Sequence, residues 1–466
     1  MTNYQLGPEP LRTKGDIVAG DPGQRGRDRV LLGRLVEAGP RRNLYLDITG
    51  EQVIAVIGKR GTGKSYTLGV IVEGLAAGEG QSQIATLITR RAGLVLDIMD
   101  IFWTSRIPLS DSGSPEIVRQ YDLMHRKGYE AQDLAIDIWI PNGFQNDQID
   151  PEGFHALSIT PSDLELDDWA ALFDVDIFAE PRGMLIADVI AHVGRDGYTR
   201  QDGTNILPNL NFSFAEVLDC LDSDHDIENN YRPDTIRSIR QRMSSYAALP
   251  LFSENGTPLT DLLHPFRVSV LMMSRVPDAL KQVIVATLLR RIMRARRDAS
   301  FAQKRLDLDP SLGESERVEL LEFVQSNVPR TWVCLDEAHV LAGTSERTIA
   351  REALVKFAKE GRNYGLSLAV ATQQPSALDS RLLSQTETLI THQLTSPADA
   401  SIAHKAMRSP APETVKVDGE NSTSEMLLRR LGQGEAAFSC GNAPHLQRMC
   451  VVGIRPRVTA HGGYEA

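Results

Sequence analysis

Short, nearly continuous apolar runs punctuate this chain, separated by longer stretches whose apolar residues recur at helical spacing. Val53-Ile54-Ala55-Val56-Ile57 is followed by a glycine-rich segment and the helix-like Tyr66-Thr67-Leu68-Gly69-Val70-Ile71-Val72. Gly93 to Asp100 is an apolar strand ending in acid, and Arg267 to Ser274, Thr331 to Leu335 and Leu366 to Thr372 repeat the type. Runs without polar alternation suit strands buried on both faces, so the pattern predicts an α/β fold with a mainly parallel sheet. Before it, Val30 to Val36 and Asn43 to Ile48 read as a short β unit, and residues 1–30, rich in Gly, Pro and charge, as a flexible arm. Between about 112 and 262 the pattern turns helical, as at Asp163 to Phe173, Ala187 to Val193, Phe214 to Leu221 and Asp234 to Ala248. This predicts an inserted helical subdomain. The expected division is therefore an arm (1–30), a first core segment (31–111), a helical insertion (112–262), a second core segment (263–445) and a tail (446–466). A long helix is expected from Pro277 to about Arg297, its arginines Arg290, Arg291, Arg294, Arg296 and Arg297 spread over more than one face, and an acidic loop from Asp307 to Glu319.

Composition narrows the picture modestly. With 466 residues, 42% of them hydrophobic, the chain can bury a large core. Fifty basic against 61 acidic side chains give a net charge of −11, so any nucleic acid must be held by local basic patches. Cys220, Cys334, Cys440 and Cys450 lack C-x2-C spacing and read as reduced thiols. The chain opens without a charged-then-apolar signal and its apolar runs are strand-length, so no membrane span and a cytoplasmic location are expected.

The glycine-rich segment carries the chemistry. Gly58-Lys59-Arg60-Gly61-Thr62-Gly63-Lys64-Ser65 stands between strand and helix, where glycines let successive N–H groups curl around phosphates. Gly58 to Tyr66 are the expected nucleotide-binding residues, with Lys64 neutralising the phosphates and Ser65 ligating Mg²⁺. The strand Thr331 to Leu335 ends in Asp336-Glu337-Ala338-His339. Asp336 is expected to hold Mg²⁺ beside Ser65, and Glu337 to polarise the attacking water. The same four letters occur in helicases that need a second motor domain with a glycine-arginine motif, which the remaining sequence does not supply. His339 is read as a helix-start residue. Gln373, at the tip of the strand Leu366 to Thr372, is placed to sense the γ-phosphate, since an amide both donates and accepts. Arg362, in Lys356 to Gly365, is either an arginine finger for a neighbouring subunit or a cation capping a helix end. A guanine-reading Asn-Lys-x-Asp motif is absent, which argues against a G-protein.

These residues resemble the HerA branch of the HerA/FtsK family of hexameric DNA-pumping ATPases. The resemblance rests on Ile57 to Gly69, Leu335 to His339, Gly361 to Leu366 and Ala371 to Ser376, with Ile454 to Gly463 as a weaker fifth stretch. It implies a RecA-like P-loop core assembled into a homohexamer, ATP with Mg²⁺ at subunit interfaces, and double-stranded DNA in the central pore. It also implies that Arg362 acts in trans, that Gln373 is the sensor, that Lys64, Ser65, Asp336 and Glu337 form the hydrolytic core, and that the tail lies at a subunit interface. The family includes chains encoded beside effector enzymes in bacterial antiphage defence. Two functions are thus expected: a DNA translocase working with a separately encoded nuclease or other effector, or an ATP-binding platform that regulates an antiphage effector with little translocation.

Overall fold

A computed structural model describes residues 2–9, 15–20, 27–39, 41–344, 348–443 and 446–463. One large sheet organises them. Its parallel part runs, in spatial order, His155–Leu157, Ile136–Pro141, Val268–Met272, Arg91–Asp97, Arg330–Leu335, Leu366–Thr372, Val53–Ile57 and Thr388–Thr391. Glu435–Cys440, Cys450–Ile454, Arg29–Leu35 and Asn43–Asp47 then continue it antiparallel. The strand bearing Gln373 lies between the phosphate-loop strand and the carboxylate strand, with Leu368 opposite Val53 and Leu366 opposite Thr331. Parallel neighbours of this kind need crossover connections, which the helices between them supply.

Both faces of the sheet are covered, which is why its strands lack polar alternation. Val53, Ala55 and Ile57 belong to the core under the helical insertion and the long helix, whereas Ile54 and Val56 belong to the core under the phosphate-loop helix Lys64–Leu75. Successive side chains of one strand therefore feed two different cores.

The structure moves several expected boundaries. Ile136–Pro141 and His155–Leu157 are sheet strands that follow a first helix, Pro115–Arg126, so the continuous run of inserted helices begins only at Leu166–Phe173 and ends with Leu259–Leu262. The first of these strands is hard to see in sequence because Asp137 interrupts its apolar run and Pro141 closes it. In the arm, Tyr4–Gly7 pairs with Thr414–Val417 and Ile17–Ala19 with Asn43–Asp47, while buried Tyr4 donates its hydroxyl to Glu435 Oε2 at 2.6 Å. Residues 1, 10–14 and 21–26 of the arm lie outside the described residues. The long helix is Asp278–Leu308, continuing past Arg297, and the second part of the expected acidic loop, from Glu314, opens a further helix, Glu314–Ser326, whose first turn holds Glu314 and Glu316.

Arginines on the long helix bind the insertion and neighbouring loops to the core. Arg290 pairs with Asp168, Arg291 donates to Thr257 O at 2.9 Å, and Arg296 donates to Tyr364 O at 2.9 Å and Val328 O at 2.8 Å. The tail is equally committed to its own chain. Arg455 and Arg457 are buried against Glu73 of the phosphate-loop helix at 2.7 and 3.0 Å, and Thr459 Oγ1 donates to the same carboxylate at 2.7 Å. Burial pushes the Glu73 carboxyl up, but the two guanidiniums outweigh it and hold it below its ordinary value. The expected interface tail is thus, as far as Ala460, part of the subunit's own core. No described helix is long and apolar enough to cross a membrane.

Candidate nucleotide site

The loop from Gly58 to Gly63 leaves a fully buried strand and enters the helix Lys64–Leu75. Gly61 and Gly63 have φ of +76° and +117°, conformations that residues with a Cβ rarely adopt. At Gly58 the obstacle is space, since a Cβ would lie 2.7 Å from His392 Cβ. Lys59 N donates to Gln393 O at 3.0 Å and Thr62 Oγ1 to Lys59 O at 2.8 Å, which fixes the loop's shape. Because the helix begins at Lys64, the N–H groups of Lys64, Ser65 and Tyr66 are first-turn donors without helical acceptors. They form the anion-binding end of this helix.

Lys64 is buried, its ammonium 3.4 Å from Lys59 O and 3.9 Å from Glu337 Oε1. Glu337 follows the carboxylate strand at φ +48°, a left-handed conformation that is strained for a residue with a side chain. Asp336 Oδ1 accepts from Glu337 N at 2.9 Å, and Ala338 N donates to Ala371 O at 2.8 Å, locking the turn to the glutamine strand. Burial, followed by the charge of Asp336, raises the Glu337 carboxyl above its ordinary value, against the opposing pull of Lys64. Its Oε2 is buried without a hydrogen bond among the described residues. Gln373, half-buried, follows the intervening strand and offers its backbone N–H to Glu337.

The expected residues therefore divide into two groups. Gly58 to Ser65, Asp336, Glu337 and Gln373 share the C-terminal edge of the sheet, where each follows its strand. Half-buried Lys59 with exposed Arg60 and Gly61 forms the outer wall of the loop, and buried Thr62 the inner one. Tyr66 has turned its side chain away: its hydroxyl accepts from Arg457 N at 2.6 Å and its ring meets His461 edge-on at 5.2 Å. Only its main chain faces the loop. Arg362 is elsewhere. It lies in the turn Gly361–Tyr364 ahead of the glutamine strand, donates to Glu387 Oε1 at 2.7 Å, and is exposed. Seven residues of strand, Leu366–Thr372, separate it from the other edge, roughly 20 Å at ~3.3 Å per residue.

Two histidines acquire roles that sequence patterning missed. His339 begins no helix; it sits in the turn with Nδ1 3.4 Å from Glu337 Oε2 and 3.2 Å from Thr372 Oγ1. His392 is fully buried beneath the loop, its Nε2 2.8 Å from Thr67 Oγ1 and its Nδ1 2.9 Å from Glu435 O. Burial lowers it to about 4, so it is neutral and ties the phosphate-loop helix to the antiparallel strands. A lone histidine just past the apolar run Thr388 to Thr391 was the available signal. Asp97, at the tip of the strand beside the carboxylate strand, is buried and pushed up to about 7, first by desolvation.

The donor set suits a magnesium–triphosphate. Glycine φ values and a helix start leave room for phosphate oxygens, Lys64 supplies buried positive charge, and Ser65 and Asp336 offer oxygen donors of the hard kind that Mg²⁺ takes. Glu337 Oε2, buried without a hydrogen bond, is the acceptor a water would meet.

Residues 30–292 match the family model described as the central domain of helicase HerA. The chain is similar to the DNA double-strand break repair helicase HerA of Pyrococcus furiosus, with 29% identity over 218 residues, covering 44% of this chain and 37% of that protein. The HerA of Sulfurisphaera tokodaii is 22% identical over 245 residues, covering 52% and 45%. The matched region thus spans less than half the length of each of these curated relatives. Among solved structures, VirB4 of Thermoanaerobacter pseudethanolicus aligns with TM-score 0.49 and 13% identity over 96% of this chain and 98% of that one. The plasmid coupling protein TrwB in complex with ADP and Mg²⁺ aligns with TM-score 0.48 and 14% identity over 98% of each chain.

Proposed function

The chain belongs to the family of the HerA helicase central domain, and from that premise we propose that it is a cytoplasmic ATPase working as a homohexameric ring that moves double-stranded DNA. In this reading it acts with a separately encoded nuclease or other effector, in the setting of antiphage defence. Bound Mg²⁺ would draw charge from the phosphate oxygens. Lys64 neutralises the β- and γ-phosphates, Ser65 and Asp336 hold the ion, Glu337 accepts the proton of the attacking water, and Gln373 reads the γ-phosphate. The raised Glu337 carboxyl makes its carboxylate a stronger proton acceptor than an ordinary one, as a base toward water requires.

One observation carries the ring: the hydrolytic residues gather at one edge of the sheet while Arg362 stands exposed at the other. If Arg362 serves a nucleotide, that nucleotide is a neighbour's, because its own phosphate loop lies at the opposite edge of the sheet. ATP turnover of the sized assembly, measured with and without duplex DNA across a salt series, tests the motor. Stimulation by DNA that fades steeply with salt is expected, because the contacts are to phosphates. A verified hexamer without stimulation at low salt would overturn translocation.

A second reading, an ATP-binding platform for an effector, is favoured by one feature. The helix Glu314–Ser326 buries none of its residues, and Val318, Leu321 and Phe323 are exposed on it beside Phe301 of the long helix. Apolar surface of that kind marks protein contact more often than DNA contact. Turnover restored by a co-purifying protein and indifferent to DNA would select this reading.

A further inference from the structure

The helical insertion contains three potential metal ligands that the nucleotide chemistry does not use. Cys220 lies on the helix Phe214–Ser223, and Asp224 follows it directly, so the two are four residues apart on one face. His192 comes from a different helix, Pro181–Ala191, at the point where it widens into the π-helical turn His192–Asp196. That widened turn brings His192 Nδ1 to 2.6 Å from Asp224 Oδ2, and Cys220 Sγ lies 3.6 Å from the same oxygen. One donor atom from each of the three residues lies within 4.8 Å of the others.

We propose that His192, Cys220 and Asp224 form a zinc site that clamps the helical insertion, with water completing the coordination. Thiolate, imidazole and carboxylate are the mixed soft and borderline set that Zn²⁺ takes, and the set is unsuited to Mg²⁺ or Ca²⁺. The spacing fits. Tetrahedral zinc with bonds of about 2.0 Å to N and O and 2.3 Å to S separates its donors by about 3.3–3.6 Å. The sulfur–oxygen pair, at 3.6 Å, is already there, and the imidazole must swing outward by under about 1 Å. Asp224 is oriented to receive the ion, because its Oδ1 accepts from Asp226 N at 2.9 Å and leaves Oδ2 for the metal. Cys220 and Asp224 are buried, whereas the His192 side chain is 24% exposed, so ion and water enter from its side.

Binding balances simply. The Cys220 thiol loses its proton to solvent, His192 binds through Nδ1 with its ring proton on Nε2, and three bonds to zinc form without any redox change. Without the ion, the three groups form only a hydrogen-bonded cluster.

The test uses the full chain, purified without chelator. Elemental analysis is expected to find about one zinc per chain, and Co²⁺ exchanged into the protein should give a thiolate-to-cobalt charge-transfer band with tetrahedral d–d bands. Cys220→Ala should lose both the charge-transfer band and most of the zinc. His192→Asn is the second variant, because its amide N–H can still donate to Asp224 while its oxygen is a poor zinc ligand. Folded His192→Asn protein with at least about tenfold weaker zinc binding supports the site. Absence of zinc together with cobalt spectra lacking a sulfur band overturns it, as does a Cys220→Ala protein that retains its full zinc.

Discussion

The two edges of the parallel sheet are built from the same strands and yet differ in kind. At the C-terminal edge, Lys64 and Asp336 are buried and Glu337 half-buried, held by a strained turn and two tightly placed histidines. At the N-terminal edge, Arg362 is exposed and held by an ion pair to Glu387. The first edge is preorganised, and preorganised charge is what phosphoryl transfer requires. The second presents an exposed cation, which the proposed ring would use in trans. The contrast teaches that charge gathered for phosphate chemistry is buried at one edge, while the arginine that the proposed ring would add to a neighbour's site is left in solvent at the other.

The largest expected effect comes from breaking the exposed edge. Arg362→Ala should lower turnover by roughly 10³ to 10⁵ if it serves a neighbour's nucleotide, with nucleotide affinity in its own loop retained. Rings co-assembled from Arg362→Ala and Glu337→Gln subunits should recover activity above either parent, because some interfaces pair both intact residues. Mixed rings, verified by mass, that stay at the parental level would dissolve the contrast between the edges.

At the buried edge, Glu337→Gln should slow hydrolysis by roughly 10² to 10⁴ while equilibrium binding of nucleotide is unchanged, since the amide cannot take the proton of water. Wild-type turnover in that variant would exclude Glu337 as the base that activates water.

The tail sharpens the comparison through stability. Glu73→Ala leaves Arg455 and Arg457 buried without their carboxylate and should cost about 3–5 kcal/mol, read from denaturant unfolding. Truncation after Arg455 strips Arg457 and Thr459 from Glu73, so its melting temperature should fall ahead of any change in assembly. A truncated chain that melts with the wild type would show that the Glu73 contacts of the tail do not hold the subunit together.

The smallest effect is a pH slope. His392 has a folded value near 4 against 6.5 for an ordinary imidazole, so between those values the unfolded chain takes a proton that the folded chain refuses. Its contribution to stability is complete above pH 6.5 and is lost as pH falls toward 4, by up to about 1.4 kcal/mol per pH unit. Asp97, raised from 3.8 to about 7, acts oppositely, because the folded chain holds its proton in that range and gains stability as pH falls. His392→Asn should therefore make stability less sensitive to acid, whereas Asp97→Asn should make it more so. Identical slopes in all three proteins would show that neither group titrates as described.

The phosphate loop, the paired acids and the glutamine were legible in sequence because each sits within a few residues of an apolar run, and strand ends are fixed by local pattern. The α/β class was legible for the same reason. The sheet strands Ile136–Pro141 and His155–Leu157 were not, since Asp137 breaks one run and the other is three residues long. Nor was the helix Glu314–Ser326, whose glutamates read as a solvated loop until the neighbouring helix is in place.

What the sequence determined by itself is chemistry that depends on neighbours along the chain: glycines at positive φ, a lysine opening a helix, carboxylates closing a strand. What only the tertiary structure decided is every pairing across long separations. Glu73 meets Arg455 across 382 residues, Thr67 meets His392 across 325, and His192 meets Asp224 between two helices of the insertion. It also decided that Arg362 and the nucleotide loop occupy opposite edges. The physical reason is that a strand's direction and its place in the sheet are set by packing on both faces, which no local pattern encodes.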